Sequence, residues 1–363
     1  MRKLLNTLFV TSEDAYLALE TENVAVYIGE EKKAQYPLLV LESIISFSYK
    51  GASPALMGAC ARKGIQLTFL TPRGRFLARV CGQEQGNVLL RKEQYRLSDN
   101  LEKSCHIARN FIFGKVYNQR WVLERTLRDH RMRVDAAKLE SASQALAGLL
   151  PDGPVLVVGL GNRSITPDLL PAIETQTDLD ALRGLEGEAS VRYFHVFDEM
   201  VLNQKADFLF DGRNRRPPTD NMNALLSFAY VLLSNDCASA LESVGLDSYV
   251  GFMHRDRPGR TSLALDLMEE LRAPMADRLC ITLVNNRVLQ DKHFERQESG
   301  AVFLGEDGRK LFLSAWQNKK KEEITHPYLK EKMAWGLVPY VQSLLLARCL
   351  RGDLDGYPPF LWK

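Results

Sequence analysis

Between Gly251 and Arg272 the chain brings one histidine, His254, a short arginine-rich loop and a pair of acids, Asp266 and Glu269, into a single stretch. If Thr261 to Leu271 is a helix, Asp266 and Glu269 stand at i and i+3 and face the same side. Asp266 lies between Leu265 and Leu267, among core-like residues, where a carboxylate needs a cation or another partner. A histidine with two carboxylates suits a divalent ion, and Arg255, Arg257 and Arg260 beside it suit a phosphate. Upstream, Leu182-Arg183-Gly184-Leu185-Glu186-Gly187 opens a second helical segment. Glu186 reads either as an acid favoured in a helix's first turn or as an inward-facing ligand at a crossing that Gly184 and Gly187 make close. Taken together, Glu186, His254, Asp266 and Glu269 form an oxygen-rich set with one nitrogen, better suited to Mg²⁺ or Mn²⁺ than to structural zinc. Such a site would activate a hydroxyl and neutralise charge at a phosphodiester. The residues alone also fit a core histidine ending an apolar run and an exposed acidic helix face.

The elements that must hold these residues fall into two patterns. Over the first ninety residues, short apolar or alternating runs such as Tyr16 to Glu20, Val24 to Ile28, Ile44 to Phe47, Gln66 to Leu70 and Phe76 to Val80 predict strands, with one helix from about Ser53 to Lys63 stopped by Gly64. Beyond Arg91, apolar residues recur at three and four spacing from Glu93 to Asn118 and from Trp121 to Leu150, which predicts helices. The expected fold class is α+β: a small N-terminal β-rich domain over residues 1–92, followed by a larger all-helical catalytic domain over residues 93–363. Residues 151–175 carry four prolines and three glycines and read as an irregular insertion. Ala301 to Leu304 and Arg309 to Leu313, separated by Gly305-Glu306-Asp307-Gly308, predict a β-hairpin with an Asp-Gly turn.

Composition excludes several classes. A formal net charge of +2 gives no global attraction to nucleic acid, so such a partner must be met by local clusters. Those clusters are Arg120, Arg125, Arg128, Arg131 and Arg133, then Arg213, Arg215 and Arg216, then Arg255, Arg257 and Arg260, and Lys319 to Lys321. Six scattered cysteines without a CxxC pair read as buried free thiols in a reducing compartment. No signal peptide or membrane-spanning run is read, and a cytoplasmic location is expected. Val155 to Asn162 imitates a dinucleotide-binding turn but lacks the third glycine, and Pro167 and Pro171 interrupt the helix that should follow. A GxxxxGK[ST] loop is absent.

Four ordered segments carry a family resemblance: Leu182 to Gly187; Asp220-Asn221-Met222-Asn223 through Tyr230; Leu241 through Phe252-Met253-His254; and Ser262 to Glu269. In order and spacing they resemble the CRISPR-associated spacer-acquisition integrase, the first of the Cas proteins, and the N-terminal segment resembles the version found with type I-C systems. The resemblance implies a metal-dependent DNA endonuclease and strand transferase that inserts short duplexes into a repeat array by attack of a 3'-hydroxyl on a phosphodiester. It assigns the metal to Glu186, His254 and Glu269. Asp266 falls beside the site, coordinating or orienting, and Asn223, Ser227 and Tyr230 line it. It also implies Mg²⁺ or Mn²⁺, double-stranded DNA, a homodimer built through the N-terminal domain, and a heterohexameric complex with the second Cas acquisition protein. The competing reading is a non-catalytic DNA-binding scaffold of the same complex, in which the carboxylates only set helix packing.

Overall fold

The computed structural model describes residues 6–72, 76–82, 88–150, 173, 176–214 and 217–363. Arg215, Arg216 and nearly all of the 151–175 insertion lie outside the described residues. In chain order the elements begin with β1 (Thr7–Val10), β2 (Ala15–Glu20), β3 (Asn23–Ile28), β4 (Glu31–Pro37), β5 (Ser43–Ser46), α1 (Pro54–Lys63), β6 (Gln66–Leu70) and β7 (Phe76–Arg79). There follow α2 (Val88–Asp99), α3 (Leu101–His130), α4 (Ala136–Ala147), α5 (Leu179–His195), α6 (Asn221–Ser243), α7 (Ser262–Leu271) and α8 (Arg278–Asn285). The chain ends with β8 (Phe294–Arg296), β9 (Val302–Leu304), α9 (Glu306–Lys321) and α10 (Val338–Leu350). An N-terminal β-rich region followed by a helical domain is the α+β class expected from the sequence.

Two compact units emerge. Met1–Gln85, Lys292–Ile324 and Ala334–Leu337 form the first, so Lys292–Ile324 falls with the N-terminal strands rather than with the helices that precede it. Within this unit β1, β5 and β6 pair in parallel, β7 joins β6 antiparallel, and β2, β3 and β4 form an antiparallel meander. Leu17, Val24, Ile44, Leu56 and Leu67 pack its core. Helix α1 starts and stops as its residues dictate: the Ser53 side chain accepts from the Leu56 amide, Pro54 occupies the first turn, and Gly64 ends it at φ +66°.

The predicted Asp-Gly hairpin is corrected. β8 pairs with β9 antiparallel, upstream of the Gly305 to Gly308 segment, and that segment begins α9 instead. Glu306 and Asp307 occupy the first turn of α9 and Lys319 to Lys321 its last, the arrangement that complements the helix dipole. Gly308 is required by contact, since a Cβ there would lie 2.6 Å from the His293 carbonyl oxygen.

The second unit holds Gly86–Asp291, Thr325–Met333 and Val338–Lys363. Its axis is α3, which packs against α4, α5 and α7. The expected helix break near residues 118–121 does not occur. The chain breaks earlier and later, where Asn100 caps α3 by accepting from the Lys103 amide and Asp135 caps α4 by accepting from the Lys138 amide. Among the described residues α6 is long and apolar enough to cross a membrane by composition, but 61% of its apolar window is buried inside the protein, as in a core helix. The six cysteines are free, five of them buried and Cys81 exposed.

Candidate metal centre

Helix α7 carries Asp266 and Glu269 inward: both are buried, with 0% and 3% of their surface exposed. Asp266 is fully engaged by the loop before it. Its Oδ2 accepts from the Phe252 amide at 2.6 Å and the Met253 amide at 3.0 Å, and its Oδ1 accepts from the His254 amide at 3.0 Å and lies 2.6 Å from His254 Nδ1. Gly251 makes this cradle possible, because a Cβ there would stand 2.8 Å from Asp266 Oδ2. Arg183 of α5 grips the same loop from the other side, donating from Nε and Nη2 to the Met253 carbonyl at 3.0 and 2.7 Å. A carboxylate at Nδ1 and a carbonyl clamped behind the loop fix the imidazole's orientation and leave Nε2 available. That nitrogen lies 3.9 Å from Glu269 Oε1.

Glu186 of α5 meets Glu269 through a cation. The Lys115 ammonium on α3 pairs with Glu186 Oε1 and stands 2.9 Å from Glu269 Oε2, while Arg272 contacts Glu269 Oε1 at 3.1 Å. Burial by itself would raise the Glu269 carboxyl, but Arg272, Lys115 and His254 outweigh it and hold the group down at about 2. Ser190 donates to Glu186 Oε1 at 2.9 Å. Of the two readings of Glu186, the close helix crossing at its flanking glycines is not found: a Cβ at Gly184 or Gly187 would meet nothing within 4 Å, whereas one at Gly114 of α3 would lie 2.9 Å from Glu270 Cβ. Gly114 thereby seats α3 against α7 and sets Lys115 beside the acids.

Among the described residues, no three of His, Cys, Asp and Glu stand close enough together to hold an ion with the side chains as placed. The donor chemistry nonetheless fits a divalent cation. Two carboxylates already share one ammonium, an imidazole nitrogen lies 3.9 Å from one of them, and Asp266 is committed to orientation rather than coordination.

The remaining predicted residues have other positions. Asn223 is fully buried and accepts from Arg213 Nη1 at 2.7 Å while donating to the Gly212 carbonyl and to Asp220, so it holds the loop before α6. Tyr230 donates to Asp277 at 2.6 Å, and its ring lies under Arg272 at 5.0 Å and Arg213 at 5.2 Å. The Ser227 hydroxyl is buried and finds no partner among the described residues. Arg255 is tied to Asp180 at 2.9 Å, Arg257 is exposed, and Arg260 is half-buried. Of the α3 arginines and those after it, Arg120 faces Glu124, Arg125 and Arg128 face Asp129, Arg131 pairs with Glu140, and Arg133 donates to the Leu202 carbonyl.

Sequence reasoning missed Lys115, the bridging cation, and Asp277, whose carboxyl is raised to about 6 by burial, only partly offset by Tyr230 and Tyr193. A signal for Lys115 was present: it interrupts the apolar run Phe111-Ile112-Phe113 to Val116 with a charge that burial forbids unless it is paired.

The sequence matches the family described as CRISPR associated protein Cas1 over residues 8–318. It is 45% identical over 363 residues to a CRISPR-associated endonuclease Cas1 of Chlorobaculum tepidum and 48% identical over 363 residues to one of Rhodospirillum rubrum, with 100% of both chains covered each time. Among solved structures, a casposase bound to integration product aligns with a TM-score of 0.78 at 20% identity, over 99% of this chain and 94% of that one. A chain of a Cas6-RT-Cas1–Cas2 complex aligns with a TM-score of 0.74 at 19% identity, over 100% of this chain and 36% of that one. The structural likenesses establish the fold, and the sequence matches establish more: the chain belongs to the Cas1 family of CRISPR associated proteins.

Proposed function

We propose that this chain is a divalent-metal-dependent DNA strand transferase and endonuclease that joins the 3'-hydroxyl ends of short duplexes to a phosphodiester of a repeat array. The observation that carries the reading is that Glu186 and Glu269 share one buried ammonium, with His254 Nε2 3.9 Å from the other oxygen of Glu269 and Asp266 spent on holding the histidine. The endonuclease name of the close relatives and the capture of a casposase with its integration product support it. Glu186, Glu269 and His254 Nε2 would hold Mg²⁺ or Mn²⁺, which supplies a lowered hydroxyl pKa and charge compensation at the phosphorus when bound.

The chain's own residues do the rest. Asp266 Oδ1, 2.6 Å from His254 Nδ1, accepts a hydrogen bond from that nitrogen and so selects the tautomer whose Nε2 lone pair is free to coordinate. Arg272 stays on Glu269 and stacks over Tyr230, so a fixed positive charge remains beside the phosphate through the reaction. One phosphodiester is exchanged for another, so no nucleotide triphosphate is consumed. The partners are double-stranded DNA, a second copy of the chain and Cas2 in a heterohexamer, a reading supported by the Cas1–Cas2 complex whose chain shares the fold.

The test uses the purified chain with Cas2, Mn²⁺, a duplex with free 3'-hydroxyl ends and a supercoiled plasmid carrying repeats. Joined product is expected from the wild type, and Glu186→Ala should bind the duplex and join nothing. If Glu186→Ala and His254→Ala both still join DNA, the scaffold reading gains and the catalytic centre proposed here is wrong.

A further inference from the structure

Lys115 is the least expected member of the centre. Its side chain is 4% exposed, its ammonium contacts Glu186 and Glu269 together, and it projects from the stretch of α3 that Gly114 presses against α7. A lysine withdrawn from water this far survives only where carboxylates compensate it, and here it contacts Glu186 Oε1 and Glu269 Oε2, one oxygen from each of the two carboxylates assigned to the ion. Ammonium and ion cannot share that position, because two cations at about 3 Å repel strongly in a poorly screened interior. Arg272 differs: it contacts the other oxygen of Glu269 and is held by the Tyr230 ring, and its planar guanidinium lacks the ammonium's freedom to swing away. Lysine carries its charge on a flexible four-carbon stem, which lets the head group leave while the backbone stays.

We propose that Lys115 is the counter-cation of Glu186 and Glu269 that a divalent ion displaces on binding. The inference rests on the metal-centre reading above. Before metal, Lys115 keeps Glu186 and Glu269 together against their mutual repulsion. After metal, its ammonium is released next to the reacting phosphodiester, where it serves as a positioning charge. Competition of two cations for one pair of carboxylates is a negative coupling, and couplings of this kind are commonly about 5- to 150-fold.

Calorimetric titration of Mn²⁺ into the full-length wild type, Lys115→Met and Lys115→Arg tests it. Lys115→Met should bind Mn²⁺ about tenfold tighter than the wild type, while Lys115→Arg, which keeps the charge, should not gain. Equal or weaker binding by Lys115→Met overturns the exchange, as does an equal gain in both variants. A second measurement needs no variant and so survives a folding failure: reductive methylation of wild-type Lys115, followed by peptide mass spectrometry, should speed up severalfold at saturating Mn²⁺. An unchanged rate overturns the proposal. Failure of the wild type to bind Mn²⁺ at all brings down the metal centre, and the exchange with it.

Discussion

Glu269 and Glu270 are neighbours on α7, equally withdrawn from water, with 3% and 0% of their surface exposed. Burial penalises the charged form of both, yet they end in opposite states. Around Glu269 the Arg272 guanidinium, the Lys115 ammonium and the His254 ring override the penalty and the carboxyl sits at about 2. Around Glu270 only neutral donors offset it, the Tyr357 hydroxyl, the Gln342 amide at 3.0 Å and the Phe360 amide at 2.8 Å, and burial leaves it raised to about 7. Successive helical residues point about 100° apart, so one turn of backbone serves two environments. The charged environment can trade one cation for another. The neutral one stitches the C-terminal segment to α3 and α7, with Asn118 donating to the carbonyls of Glu270 and Phe360 at 2.6 and 2.7 Å and accepting from the Trp362 amide at 2.8 Å. Reactivity is assigned to the first and rigidity to the second.

The sharpest way to break that division is to change each acid alone. Glu269→Gln should reduce strand transfer by at least about 10³-fold and abolish measurable Mn²⁺ binding, while the fold persists. Glu270→Ala should do the reverse, keeping Mn²⁺ affinity within about tenfold but costing ~2–4 kcal/mol of stability, since three buried donors lose their acceptor. For a unit of this size that lowers the melting temperature by roughly 5–15 °C. If Glu270→Ala weakens Mn²⁺ binding as much as Glu269→Gln does, the two environments are not separable. A smaller effect is expected next door: Asp266→Asn should weaken Mn²⁺ by about 10- to 100-fold, because it frees the His254 ring without removing a ligand. Unchanged calorimetric affinity would show that the loop orients the histidine without Asp266.

The contrast also explains what was legible beforehand. Strands in the first ninety residues follow from alternation and turn residues, and β2, β3, β6 and β7 fall within a residue or two of where those signals put them. Asp266 stood out because an acid between two leucines demands a partner, and Glu269 because it shares that helix face; the choice of Glu186, His254 and Glu269 as ligands came from the family resemblance. What was hidden depends on contacts between distant segments. Lys115 lies 71 residues before Glu186, and Gln342 lies 72 after Glu270, separations that no periodicity reports. Nor does spacing distinguish Glu269 from Glu270, because only the packed neighbours decide which acid meets cations and which meets hydroxyl and amide groups. Gly305 to Gly308 misled for a local reason: Gly-Glu-Asp-Gly suits a tight turn and equally a helix start, and α9 prevails where the glycine lets it approach His293.

The finest discrimination comes from pH. Glu269, lowered to about 2 from a usual 4.5, adds stability that is present above pH 4.5 and lost only as pH falls toward 2. Glu270, raised to about 7 from the same 4.5, works the other way: between these values the folded state holds a proton the unfolded chain has released, so stability declines as pH rises through that window. Asp277, raised to about 6, adds a decline that is complete near that pH. Urea unfolding of the metal-free protein in chelator, from pH 5 to 8, should therefore show stability falling, by an amount on the order of 1–3 kcal/mol attributable to Glu270. Glu270→Gln cannot ionise and should reduce the slope from pH 5 to about 7, while Asp277→Asn should flatten only the part below pH 6. Glu269→Gln should leave the slope across pH 5 to 8 as it is in the wild type. Identical slopes in wild type and Glu270→Gln would mean that Glu270 keeps its charge in the folded protein, and that its neutral partners stabilise a buried carboxylate as well as the cations around Glu269 do.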